Sequence, residues 1–134
     1  MAALRSREAE IVAAASGALT LLTGHHENPD EPNVRNRWEQ WWHENGDKLQ
    51  PGIRYRGGMP HAFGLLLDDM EHVDPYVRRT AYDELVICSG VHLPFDAEGP
   101  WRVQRAHLRA WRSWWAAHRE SFPPGAWFLA GRPQ

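Results

Sequence analysis

The sequence predicts an all-α protein of about five helices joined by short extended connectors. Apolar residues recur at the three- and four-residue spacing of amphipathic helices along most of the 134 positions. Segments that alternate polar and apolar residues are too short to form an independent sheet. The pattern Trp-x-x-Trp-Trp occurs twice, and its spacing places all three rings on one side of a helix.

The tryptophan pattern is part of an internal repeat. Residues 38–60 and 111–133 align 73 positions apart, with seven identities in 23 positions. Upstream, residues 11–26 align with 77–92 at a separation of 66 positions. Repeats of this length are typical of proteins built from stacked helical units.

The change in separation indicates a seven-residue insertion in the second unit, for which residues 93–100 are the candidate. We therefore expect a single domain over residues 1–134, made of two units of about 70 residues, 6–60 and 61–133. The phase of the repeat leaves open whether the chain is a segment of a longer array.

Two helices are predicted in the first unit. One covers residues ~6–22 and ends at Gly24, with a predicted apolar stripe of Ile11, Ala15, Leu19 and Leu22. The other covers residues ~32–45, with Asp30 as a candidate N-cap and Gly46 at its end. Residues 53–56 predict an extended connector that pairs with its repeat copy.

Three helices are predicted in the second unit. Pro60 suits the first turn of a helix whose buried face is Phe63, Leu66, Leu67 and Met70. Asp74 and Pro75 predict the start of the next helix, which ends at Gly90 and carries an apolar stripe of Val77, Ala81, Leu85 and Cys88. The last helix covers residues ~100–119 and is predicted to present inward Leu108, Trp111, Trp115 and His118.

Composition restricts the function classes. A formal charge of −2 and a pI near 6.4 give no general attraction for a phosphate backbone, and no basic concave face is evident. The single cysteine, Cys88, cannot form an internal disulfide, which fits a reducing compartment. The sequence shows neither a signal peptide nor an apolar run of about 18 residues, so we expect a cytoplasmic protein without a membrane partner.

Residues 60–90 resemble a HEAT repeat. The family pattern Asp-Pro-x-Val-Arg-x-x-Ala-x-x-x-Leu is matched by Asp74, Pro75, Val77, Arg78, Ala81 and Leu85. Residues 6–24 look like a second helix of such a repeat without its Asp-Pro-x-Val-Arg start. The resemblance, which extends to bacterial HEAT-repeat proteins with Trp-x-x-Trp-Trp helices, implies a short armadillo-like α-solenoid that binds another protein.

The tryptophan triplets permit two interpretations, an aromatic ligand platform or a helix-packing core. Recurrence at helical spacing within a repeat favours the core, so we assign structural roles to Trp38, Trp41, Trp42, Trp111, Trp114 and Trp115. Asp74 and Arg78 are assigned structural roles on the HEAT resemblance. Trp101 and Trp127 fall outside the triplets and are expected to be partly exposed.

Histidines raise the hypothesis of a metal-dependent enzyme. The pairs His26-Glu27 and His43-Glu44 are similar to those of deoxyhypusine hydroxylase, a HEAT-like enzyme. They are 17 residues apart, however, and Ala116-Ala117 replaces the second pair in the other unit. We therefore predict no metal, no cofactor and no catalytic residue.

Two further groups of charged residues are candidate sites. The acidic residues Asp68, Asp69 and Glu71 fall at a predicted turn between helices, where solvent would surround them. Arg54, Arg56 and the following Gly57-Gly58 are similar to an arginine–glycine nucleic-acid segment, but they occur only once. For both groups a solvated surface is the simpler interpretation.

The preferred prediction is a non-enzymatic module that binds another protein. Its contact surface is predicted on the outward side of the helix at 75–89, with residues Tyr76, Arg79, Tyr82, Asp83 and Val86. The resemblance further implies an immunity or adaptor protein of a bacterial secretion or toxin system. The alternatives are a metal-dependent enzyme that uses the histidines and a nucleic-acid-binding HEAT-like protein.

Overall fold

A computed structural model describes all 134 residues, and five α-helices account for half of them. Two pairs of two-residue strands are the only sheet structure. The prediction of a largely helical protein is therefore confirmed. The chain divides into two compact units, Met1–Pro60 and His61–Gln134.

The first unit contains two α-helices and one short hairpin. A 3-10 turn precedes the helices, and another follows them. In chain order the elements are a 3-10 turn at Ala2–Arg5, α1 at Ala9–Thr23, α2 at Val34–Asn45, a 3-10 turn at Gly46–Lys48, β1 at Tyr55–Arg56 and β2 at Met59–Pro60. The strands are antiparallel, with Tyr55 opposite Pro60 and Arg56 opposite Met59.

Helix α1 ends as predicted, at Gly24 in the left-handed conformation. Its predicted stripe is wrong at Ile11, which is 40% exposed. The side turned to the core instead carries Val12, Ala15, Ser16, Leu19 and Thr23. Apolar residues occur all round this alanine-rich helix, so periodicity alone left its rotation undetermined.

Helix α2 starts later than predicted, after Asn33 rather than Asp30. Asp30 lies in a turn, where its backbone N–H donates to Asn28 Oδ1. Trp38 is completely buried against Leu4 and Val34. The other two rings of the triplet are less enclosed, and Trp42 is 36% exposed.

The second unit contains three α-helices and a hairpin. In chain order the elements are α3 at Phe63–Asp69, α4 at Pro75–Ser89, α5 at Trp101–His118, a 3-10 turn at Arg119–Ser121, β3 at Phe128–Leu129 and β4 at Arg132–Pro133. Helix α3 starts three residues beyond the predicted Pro60, because Pro60 belongs to strand β2.

The core of the second unit joins all three helices and the hairpin. Its buried members are Phe63, Leu66, Leu67, Met70, Ala81, Leu85, Cys88, Leu108, Trp111, Phe122 and Phe128. The predicted inward position of His118 is wrong, since this residue is exposed at the end of α5. Its ring stacks on Trp114, and its Nδ1 lies 2.7 Å from the carbonyl oxygen of Trp114.

Helix α4 has the predicted boundaries. Asp74 Oδ1 accepts a hydrogen bond from the backbone N–H of Tyr76 at 2.8 Å, Pro75 is the first helical residue and Gly90 ends the helix at φ 72°. Arg78 spans three carbonyl oxygens: it donates to His72 and Val73 in the preceding turn and to Ala97 in the following loop. Asp74 and Arg78 therefore both hold the start of α4 in place.

Most equivalent elements of the two units have matching boundaries; the exception is the start of α5. Helices α1 and α4 are 66 positions apart at both ends, and the strands are 73 apart. The predicted pairing between connectors is wrong, because each connector folds back on itself as a hairpin. In each hairpin the inner paired residues are only three positions apart across a glycine-containing turn, so a strand pairs more easily with the next segment of its own connector than with the other connector.

Candidate functional site

The predicted contact residues of α4 do not all face outward. Tyr76, Arg79 and Asp83 are exposed, and Tyr76 retains 75% of its accessible area. Tyr82 and Val86 are half-buried against the core of the second unit. They directly follow the buried positions 81 and 85, so they lie on the flank of the core-facing side.

Tyr82 packs against the core of the second unit. Its hydroxyl donates to the carbonyl oxygen of Leu93 at 3.2 Å, and its ring meets Trp111 edge-on and contacts Phe95. The exposed side of α4 carries instead a row that we call the α4 row, consisting of Tyr76, Arg79, Thr80, Asp83 and Ile87. Ile87 is 58% exposed and lies one helical turn after Asp83, but it was not among the contact residues predicted from the sequence.

A second exposed row lies on α5. Four arginines occur at helical spacing along one side of this helix, and the helix has no acidic residue. We call this set the α5 arginine row; its members are Arg102, Arg105, Arg109 and Arg112. The net charge of the chain therefore does not describe this local surface. The spacing was visible in the sequence, but a net charge near zero concealed the local excess.

Trp101 stands at the start of the arginine row and is 54% exposed, as predicted for a tryptophan outside the triplets. Two shallow depressions run along the row and share Trp101, Arg105 and Arg109 as lining residues. The depression that reaches the far end of the row also contacts Glu71 and Arg112. The row thus forms a continuous surface in which an aromatic ring adjoins several guanidinium groups.

The far end of the row shows which groups its arginines bind within the chain. Arg112 Nη2 lies 2.6 Å from Glu71 Oε1 and 3.1 Å from Asp68 Oδ1. The hydrogen bond to Glu71 is the main reason why the pKa of the Arg112 guanidinium is raised. Two members of the acidic run considered as catalytic are therefore held in a surface ion pair.

The remaining arginines of the row, Arg102, Arg105 and Arg109, are exposed and form no ion pair within the chain. The row also has no equivalent in the first unit. Helix α5 starts six residues earlier than the position that matches the start of α2, directly after the predicted insertion. Arg102 and Arg105 fall in this extension, so the row is specific to the second unit.

The histidine–glutamate pairs do not form a metal centre. His25, rather than His26, contacts Glu27, with 2.8 Å between His25 Nε2 and Glu27 Oε1. That hydrogen bond, followed by the hydrogen bond and the positive charge of Arg37, lowers the pKa of the Glu27 carboxyl. His26 and His43 are exposed, and no group of three or more His, Cys, Asp or Glu is arranged to hold a metal ion.

The Arg-Gly-Gly sequence is a structural turn. Gly57 and Gly58 connect β1 to β2, and their N–H groups donate to the carbonyl oxygens of Leu21 and Leu22 at 2.7 and 2.9 Å. Arg56 is buried. The segment therefore does not present a flexible basic tail for nucleic acid.

No family model, curated protein or solved structure matches this chain. None of the five helices combines the length and the hydropathy needed to cross a membrane. The candidate sites are accordingly defined by the two exposed rows and their chemistry.

Proposed function

We propose that this chain is a non-enzymatic helical module that binds another protein through the α4 row. The observation that carries the proposal is the exposure of Tyr76 and Ile87 at opposite ends of one helical face, with Arg79 and Asp83 between them. Aromatic and aliphatic anchors beside charged groups are the composition of protein–protein contact sites.

A HEAT-like α-solenoid is the architecture that we propose for this module. Its support is the helical pair α3 and α4, whose connecting turn is held by the Asp74 cap and the Arg78 hydrogen bonds. Solenoids of this kind bind partners on surfaces formed by successive helices. The buried thiol of Cys88 is compatible with a bacterial cytoplasmic protein, and an immunity or adaptor role in a secretion or toxin system is the form of partner binding that we propose.

The experiment uses a matched pair of variants. Leu21 is the repeat counterpart of Ile87 and is also exposed on its helix, so Leu21→Ser is the control for Ile87→Ser. The wild-type chain is used to isolate a partner from source cells, and the affinity of the purified partner is then measured by calorimetry for each variant.

Ile87→Ser and Tyr76→Ala are each expected to weaken binding by about tenfold or more, which corresponds to roughly 1.4 kcal/mol. Leu21→Ser should leave the affinity unchanged. A partner that binds all three variants equally would show that the α4 row is not the contact surface. Failure of the wild-type chain to bind any protein directly would contradict the proposed function itself.

A further inference from the structure

We propose that Trp101 and the α5 arginine row form a second binding surface, which takes a protein segment rich in Asp and Glu. This surface is distinct from the α4 row, and the proposal does not depend on the function proposed for that row. It rests on the charge pattern of α5, the internal ion pair of Arg112 and the position of Trp101.

The charge pattern of α5 favours an anionic partner. The helix holds four arginines and no carboxylate, within a chain whose formal charge is −2. Neighbouring like charges at this spacing repel one another and destabilise the helix. Arg112 is relieved of this repulsion by two carboxylates, whereas Arg102, Arg105 and Arg109 have none. A ligand that brings carboxylates would provide the same relief to these three.

The ion pair of Arg112 shows the form that such a ligand takes. Its two carboxylates come from Asp68 and Glu71, which are three residues apart in the chain and converge on one guanidinium. From Arg102 to Arg109 the row extends about 10 Å at a rise of about 1.5 Å per residue. Carboxylates repeated every three or four residues along a helical segment would match this distance, and each could form the paired hydrogen bonds that guanidinium groups make.

Trp101 adds an apolar contact to the surface. Its ring is 54% exposed and lines both depressions beside Arg105 and Arg109. An exposed indole can cover an aliphatic or aromatic side chain with little loss of side-chain freedom. The expected ligand is therefore an acidic segment that carries at least one large apolar residue next to its carboxylates.

The same surface is less suited to nucleic acid. Glu71 lines the depression that holds Arg112, and Asp68 adjoins it through the same ion pair. A continuous phosphate backbone along the row would approach these carboxylates, whereas separate carboxylates of a peptide need not. A chain of pI near 6.4 also lacks the general attraction on which non-specific nucleic-acid binding depends.

The test measures the binding of three labelled probes to the full chain by fluorescence anisotropy at low salt. The first probe is a synthetic peptide of about three helical turns with Glu at every third or fourth position and one Leu. The second has Gln in place of every Glu, and the third is an oligothymidine of equal formal charge. The variants are the double change Arg105→Gln with Arg109→Gln, and Trp101→Ala. Arg119→Gln, which removes an exposed charge outside the row, is the control.

We expect the Glu peptide to bind the wild-type chain and the Gln peptide not to bind. The double arginine variant should weaken binding by about tenfold or more, Trp101→Ala by a smaller factor, and Arg119→Gln by less than about twofold. The proposal is overturned if the two peptides bind alike or if the arginine variant binds the Glu peptide like wild type. Tighter, arginine-dependent binding of the oligothymidine would also overturn it, in favour of a nucleic-acid surface. Ile87→Ser should leave peptide binding unchanged, because Ile87 belongs to the α4 row. The result of this test therefore does not depend on whether the α4 row binds a partner.

Discussion

The first tryptophans of the two triplets, Trp38 and Trp111, have equivalent positions but different surroundings. Both side chains are completely buried. The indole N–H of Trp38 donates to Ser16 Oγ at 3.0 Å. The residue equivalent to Ser16 in the second unit is Tyr82, whose ring meets Trp111 edge-on at 6.1 Å, and the N–H of Trp111 has no hydrogen-bond partner in the protein. The second unit thus has an aromatic contact where the first has a buried hydrogen bond.

This difference predicts unequal effects of the same substitution. Trp38→Phe removes a satisfied buried hydrogen bond, whereas Trp111→Phe removes an N–H that is already desolvated without a partner. Trp38→Phe should therefore lower the free energy of unfolding by about 1–3 kcal/mol more than Trp111→Phe. Urea unfolding followed by circular dichroism measures both values. Trp101→Phe, at an exposed position, should change stability by less than about 0.5 kcal/mol. Equal losses at positions 38 and 111 would contradict the assigned role of Ser16.

At the scale of elements, the hairpins are fastened to helix ends in the same way in both units. Gly57 and Gly58 donate to the carbonyls of Leu21 and Leu22 near the end of α1. In the second unit Ala130 and Gly131 donate to Ile87 and Cys88 near the end of α4, each at 2.8 Å. Carbonyl groups in the last turn of a helix have no partner within it, so the hairpin turn completes their hydrogen bonding.

The close approach of hairpin and helix makes Gly58 a sensitive position. It has φ +77°, and a Cβ there would lie 2.7 Å from the carbonyl oxygen of Thr23. Gly52 has φ +82° but nothing within 4 Å of its Cβ position. Substitution of Gly52 therefore measures the cost of the left-handed backbone conformation without a steric clash. Gly52→Ala should destabilise by about 1 kcal/mol. Gly58→Ala should cost about 1–3 kcal/mol more, because the hairpin must move away from α1. Thermal or urea unfolding compares the stabilities of the two variants. Similar losses of stability would show that a Cβ at position 58 does not clash with the carbonyl oxygen of Thr23.

At the scale of the whole molecule, the apolar core is unevenly distributed between the units. The main cluster of the first unit has three buried members, Leu4, Val34 and Trp38, whereas that of the second unit has eleven. Local opening is easiest where few apolar contacts are lost. We therefore expect the second unit to contain the most stable helices.

Amide hydrogen exchange of the intact chain tests this expectation. The slowest amides should lie in α4 and α5 around Leu85 and Trp111, and those of α1 should exchange at least about tenfold faster after correction for intrinsic rates. Comparison within one sample controls for temperature and pH. Protection of α1 equal to that of α4 would contradict the expected difference.

The two exposed rows show where prediction from sequence reached its limit. Helix ends were predictable at Asp74, Gly24 and Gly90, since a cap acts within one turn and needs no distant partner. The outward side of α4 was only partly predictable. Tyr82 is amphipathic, so its place depends on whether Trp111 and Leu93 are available to receive its ring and hydroxyl.

By itself, the sequence determined the helical class, the repeat and the ends of α4, because these depend on spacing and on neighbours close in the chain. The burial of Trp38 and Trp111 was predictable from the helical spacing of the triplets, although the residues that cover these rings are distant in the chain. Tertiary structure decided the rotation of α1, the folding of each connector onto a helix end, and which arginines of α5 meet carboxylates. Each of these depends on groups distant in sequence, such as Arg112 and Glu71, which lie 41 positions apart. A periodic pattern states which side of a helix is apolar, but only packing decides what that side, and the side opposite it, will contact.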